Sequence, residues 1–215
     1  PMGESKDNRG VTEENAFVQL ASNAPAGADI TIPVSLTGVG AGNLIVVWAS
    51  HEGAATTYSI SDGTSTLTNG TVVDHSNGDM SALFAYLLSA NSGNITYTVT
   101  LGASRSFRRI HVMEFSYTGT ASLDVQNTGQ SATNPPELVS GDITTTGTDE
   151  VVIGGAKVYS GSVNTLEINN IAADQSSAIS LSGMWERILT ATFTGNADAN
   201  ADADAVWICN IISFK

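Results

Sequence analysis

The chain has 215 residues, a net charge of −13 and only eight lysines and arginines. The basic footprint that would displace phosphate counterions is missing, which excludes nucleic acid and disfavours anionic membranes. The lone cysteine, Cys209, excludes an intrachain disulfide and a multi-cysteine zinc site, and no apolar run is long enough for a membrane-spanning helix.

Charged residues make up 13% of the chain, about half the usual ~25%, and Ser, Thr, Asn, Gly and Ala fill the difference. This implies a surface of hydroxyls and amides rather than ion pairs. No secretory leader is visible. Residues 1–13 are polar and aperiodic and are expected to form a disordered N-terminal tail, followed by a single domain over 14–215.

From Asn15 onward the hydrophobic period is two. Ile30, Ile32 and Val34 share a face, as do Ile95, Tyr97, Val99 and Leu101, the latter alternating with threonines. LIVVWAS (44–50) and ALFAYLL (82–88) are apolar on both faces, which fits central strands. Further strands are expected at 107–117, 150–159, 185–193 and 205–214. Asp62-Gly63, Asn69-Gly70 and Asn77-Gly78 supply the positive φ that tight hairpins require. The longest aperiodic stretch, 118–141, contains Pro135-Pro136 and is expected to cross between two halves of one domain. No repeat of 20–50 residues is found. Many short strands without a helical pattern predict an all-β fold, an antiparallel, jelly-roll-like β-sandwich of two sheets.

Three stretches resemble a known group: AGNLIVVWAS (41–50), YSISDGTSTLT (58–68), and residues 79–119 ending in RRIHVMEFSYTG. They are similar to jelly-roll-type β-sandwich modules of phage and prophage structural proteins and of secreted bacterial polysaccharide-binding proteins. The resemblance implies a non-catalytic carbohydrate-binding module, extracellular or on a virion. A virion tail or decoration domain, bound to copies of itself or to other virion proteins, is the alternative. It brings no active-site motif, and fold alone does not fix function.

The residues themselves give several candidates. Asn196, Asp198, Asn200, Asp202 and Asp204 alternate through TGNADANADADAVW (194–207). An EF-hand is rejected, because Ala203 stands where its glycine belongs and Cys209 where its last carboxylate belongs. The tract is read as a solvated acidic loop, with a calcium site at Asp198, Asn200, Asp202 and Asp204 as the alternative. Sugar rings stack on flat aromatic faces, which puts Trp185, Trp207, Tyr159 and Tyr58 forward as a platform, with Arg187 beside them. Arg105, Arg108 and Arg109 hold three of the eight positive charges. Their planar donor forks pair with carboxylates, or recognise an acidic sugar or phosphate. No HExxH or GxSxG motif occurs, and the scatter of Glu52, Glu114, Glu167 and Glu186 identifies no hydrolytic pair, which leaves a glycan-active hydrolase as the third alternative. A histidine poised on a serine, or two acids facing across a cavity, would revise the non-catalytic reading.

Overall fold

The computed structural model describes residues 15–117, 119–131, 137–201 and 206–215. The expected tail (1–13), Pro135-Pro136, Asp202 and Asp204 lie outside the described residues.

The first half of the chain contains β1 (Ala16–Asn23), β2 (Asp29–Val39), β3 (Leu44–Glu52), β4 (Tyr58–Ser61), β5 (Thr68–Asp74), β6 (Met80–Leu87) and β7 (Gly93–Ser116). The second half contains β8 (Leu123–Ser131), β9 (Glu137–Val139), β10 (Ile143–Thr144), β11 (Glu150–Val158), β12 (Val163–Ile168), β13 (Ile171–Ala172), β14 (Gln175–Ile179) and β15 (Ser182–Leu189). It ends with β16 (Thr194–Gly195), β17 (Ala197–Ala201) and β18 (Trp207–Phe214). All pairings are antiparallel, no helix is present among the described residues, and the fold is the expected all-β sandwich.

The layering goes beyond two sheets. The 24-residue β7 belongs to two sheets at once. Its first part pairs with β2 and β4, and its second part with β1 and β3, giving an inner sheet ordered β1-β7-β3-β6-β5. The second half repeats this plan. β8-β18-β11-β15-β14 forms its inner sheet, and β9-β17-β12-β13 its outer one. Each strand of the first inner sheet thus has a counterpart: β1 with β8, β7 with β18, β3 with β11, β6 with β15, β5 with β14. The chain folds as two sandwiches of like topology, joined through their inner sheets into a stack of four layers.

Alternation explains why both inner sheets look apolar on both faces. Ile45, Val47 and Ala49 turn to the first outer sheet and meet Ile32, Tyr97 and Val99. Leu44, Val46 and Trp48 turn the other way and meet Val151, Ile153, Ile208 and Phe214 of the second half. Val152, Trp185, Cys209 and Ile211 then face Leu138, Ala197 and Ala199 of the last layer. Burying each large apolar side chain contributes about 1.5–3 kcal/mol, so this shared middle core binds the halves into one body.

Polar contacts also cross the middle. Trp48 Nε1 donates to Ser182 Oγ at 3.2 Å, and Asn210 Nδ2 to the Thr71 carbonyl at 3.3 Å. Gln126 Oε1 accepts from Thr71 N at 2.9 Å. Glu114, fully buried, accepts from Gln19 Nε2, Gly40 N and Asn43 Nδ2 at 2.5, 2.8 and 2.6 Å. It ties β1 and the β2–β3 turn to β7.

Candidate functional site

Where β1 ends, the chain turns through residues 24–27 and passes over the bend of β7. A cavity of about 300 Å³ opens there, lined by residues 24–27 and by Ser106, Phe107 and Arg109. The lower end of the usual size range for small-molecule pockets is of that order. Phe107 is 51% exposed and adopts φ 46°. A non-glycine residue in the left-handed region costs about 1–2 kcal/mol, and such strain clusters at binding sites. The bend turns the Phe107 ring to solvent, while Arg108 and Arg109 return to the interior.

The arginines are held from the rear. Arg109 is only 6% exposed; its Nη1 donates to the Arg108 carbonyl at 2.8 Å and its Nη2 to Ser180 Oγ at 3.3 Å. Ser180, on the β14–β15 turn, also has left-handed backbone, φ 40°. Arg108 donates through Nη1 to the Thr31 carbonyl and through Nη2 to the Gly27 carbonyl at 3.3 Å. Arg105 Nε donates to the Ala54 carbonyl at 3.0 Å. Lys157, fully buried on β11, donates to the Phe107 carbonyl at 3.4 Å and lies 3.7 Å from Glu52 Oε1. Burial, partly opposed by Glu52 and reinforced by the Arg109 charge, lowers the Lys157 ammonium to about 8. Burial likewise raises the Glu52 carboxyl and lowers the Arg109 guanidinium.

Beside this cluster a histidine does sit on a serine. His111 Nε2 is 3.2 Å from Ser182 Oγ, and Nδ1 is 3.1 Å from Ser177 Oγ. Every proton finds a partner if Trp48 donates to Ser182, Ser182 to Nε2, and Nδ1–H to Ser177. A nucleophilic serine needs an exposed hydroxyl and a base oriented by a third group, commonly a carboxylate. Here Ser182 is fully buried, His111 is 1% exposed and both ring nitrogens contact serines. Burial and the Arg109 charge lower its pKa to about 3, too weak for a base near neutrality. The trio is a buried strut between layers.

The residues singled out from sequence are dispersed. Trp185 is fully buried, with Nε1 donating to the Glu167 carbonyl at 2.6 Å. Trp207 and Tyr58 are also buried, and Tyr58 stacks on His51 at 5.4 Å while its hydroxyl donates to Ser81. Rings without a free face cannot stack on a ligand, so these three are corrected to packing residues. The reason is that each ring lies on a face covered by a neighbouring sheet. Tyr159 is 51% exposed, next to the start of β18, where its N–H donates to the Val206 carbonyl. Arg187, half-buried, lines a separate, shallower cleft of about 240 Å³ with Asn169, Ile171, Phe193 and residues 188–192, and lies 4.0 Å from Asp174. Sequence reasoning had missed Phe107; its signal was a ring beside an arginine pair, hidden by the assumption of a straight strand.

The acidic tract is only partly outward. Asp198 is 3% exposed and accepts from Asn170 N at 3.1 Å. Burial, with Glu167 nearby, raises its carboxyl. Asn196 donates to Asp142 at 3.1 Å, and Asn200 is exposed. Among the described residues, no three His, Cys, Asp or Glu side chains are arranged to hold a metal ion.

The fold and cavity define an all-β antiparallel sandwich, built twice over, with a recess lined by Phe107 and Arg109. Compared with models of protein families and with curated proteins, the chain matches none.

Proposed function

We propose that the protein is a carbohydrate-binding module that holds a polysaccharide without transforming it. The observation that carries this reading is the Phe107 ring, exposed at the lip of a cavity and held there by left-handed backbone. A solvent-facing phenyl group gives up hydrophobic burial, and a sugar's C–H face would restore it. The Ser- and Thr-rich exterior supplies hydroxyls for hydrogen bonds. The phage and secreted bacterial modules that the sequence resembles are consistent with this, and imply a virion or extracellular setting.

Affinity electrophoresis through gels carrying a panel of neutral and acidic polysaccharides tests the reading. At least one polysaccharide is expected to retard the protein. Phe107→Ala should weaken that retardation roughly tenfold, the loss of about 1.4 kcal/mol of ring contact. A folded protein that migrates unretarded on every gel contradicts the proposal.

A further inference from the structure

We infer that the recess under Phe107 is an anion-recognising subsite that takes the carboxylate of an acidic sugar unit, such as a uronate. The inference rests on the carbohydrate-binding reading and names the ligand class at its site.

The distribution of charge is the first ground. The chain carries eight lysines and arginines against 21 acidic residues. Three of the eight gather at this one cavity: Arg109 lines it, while Arg108 and Lys157 donate to the Gly27 and Phe107 carbonyls of its wall. Glu52 offsets one of these charges by its contact with Lys157. On a protein of net charge −13, a concentration of cations at one recess creates a local field that draws anions in.

Unspent donor capacity is the second ground. A guanidinium has five N–H donors in a fixed fork. Arg109 directs one at the Arg108 carbonyl and one at Ser180 Oγ. Its Nε has no partner, although the residue is more than nine-tenths buried and lines the cavity. Nη1 and Nη2 each keep a second N–H beyond those two bonds, and a carboxylate entering the cavity would form a charge-assisted bond with this fork. The bonds to Arg108 and Ser180 hold the fork in place, so little side-chain entropy is lost on binding.

Shape separates an acidic sugar from a bare anion. Besides Arg109 and Ser106, the lining consists of the Phe107 ring and residues 24–27, a small apolar turn. Inorganic phosphate would leave that apolar wall unused. A pyranose ring would cover it with C–H groups while its carboxylate reached Arg109. About 300 Å³ of space accommodates a single sugar unit rather than a longer stretch of chain.

Isothermal calorimetry with glucuronate, glucose and inorganic phosphate as separate titrants tests the inference. Glucuronate should bind roughly tenfold or more tightly than glucose, as expected for a hydrogen bond to a charged group. Its affinity should fall as NaCl rises from about 50 to 500 mM, a series that needs no variant. Arg109→Lys, which keeps the charge and loses the fork, should abolish most of the preference over glucose. Equal binding of glucuronate and glucose, unaffected by salt, overturns the anionic subsite while leaving carbohydrate binding intact. Phosphate binding with no response to either sugar overturns the acidic-sugar assignment. Absence of any binding here, alongside retardation on polysaccharide gels, also overturns it and moves the sugar site elsewhere. Absence in both assays removes the underlying reading as well.

Discussion

Gly155→Ala probes the contact between the two halves. Gly155 lies on β11, and an added Cβ would stand 2.6 Å from Trp48 Cδ2, 2.8 Å from Trp48 Cε3 and 3.0 Å from Phe84 Cζ. Those rings lock against each other at 4.9 Å between centroids, and both are buried. Their neighbours leave no room to retreat, so the methyl group must push the layers apart. Overpacking of this kind costs about 1–3 kcal/mol. The backbone of Gly155 is not left-handed, so alanine gains about 0.4–1 kcal/mol through the unfolded chain. The net loss is about 1–2 kcal/mol, or roughly 2–8 °C in Tm for a domain of this size. Gly183→Ala is the milder control, because its new methyl meets no ring and comes no nearer than 3.3 Å to methyl groups of Leu166 and Val163. Differential scanning calorimetry of both variants should show a fall for Gly155→Ala and little change for Gly183→Ala. Adding Trp48→Phe should recover part of the loss, with a coupling of about 0.5 kcal/mol or more. A Tm for Gly155→Ala at or above the parent's would refute close packing of Trp48 on β11.

Glu186 gives a pH signature. It is 1% exposed with both carboxylate oxygens unpartnered, and burial, with Asp174 adding to it, raises the group to about 7. The unfolded chain therefore releases this proton first as pH rises, and stability from this group is lost between about pH 4.5 and 7. Glu186→Gln should be progressively more stable than the parent across that window, by an amount on the order of 3 kcal/mol at pH 8. A difference independent of pH contradicts this. Glu114→Gln replaces one acceptor oxygen with an amide that faces N–H donors, and should cost about 2–3 kcal/mol. Urea unfolding should show this as a lower midpoint at unchanged m; an unchanged midpoint would deny Glu114 its tying role.

The strands were legible because alternation is a local signal. Residues 44–50 and 82–88 read as central strands, and the first inner sheet contains both as β3 and β6. The duplication was not legible. Leu44 opposes Phe115 as Val151 opposes Phe214, and Trp48 opposes Phe84 as Gly155 opposes Met184. Of these counterparts only Phe115 and Phe214 share a residue type, Trp48 answers to a glycine, and loops of different length break any fixed period. Residues 118–141, read as a crossover, include the edge strand β8, whose amides face polar partners across the layers. The Asn169-Asn170 turn, with φ 53° and 60°, closes the β12–β13 hairpin and covers Asp198, which a face-counting rule places in water. Trp185, Trp207 and Tyr58 failed as a platform for one reason. Period two says which residues share a face, but not whether a further layer lies on it, and Trp185 and Trp207 face the fourth layer.

Crystals soaked in glucuronate provide the most direct test of the binding role. Sugar density should fill the recess, with its ring against Phe107 and its carboxylate on the Arg109 guanidinium. An empty recess at saturating sugar, or a sugar ordered elsewhere on the surface, would contradict it.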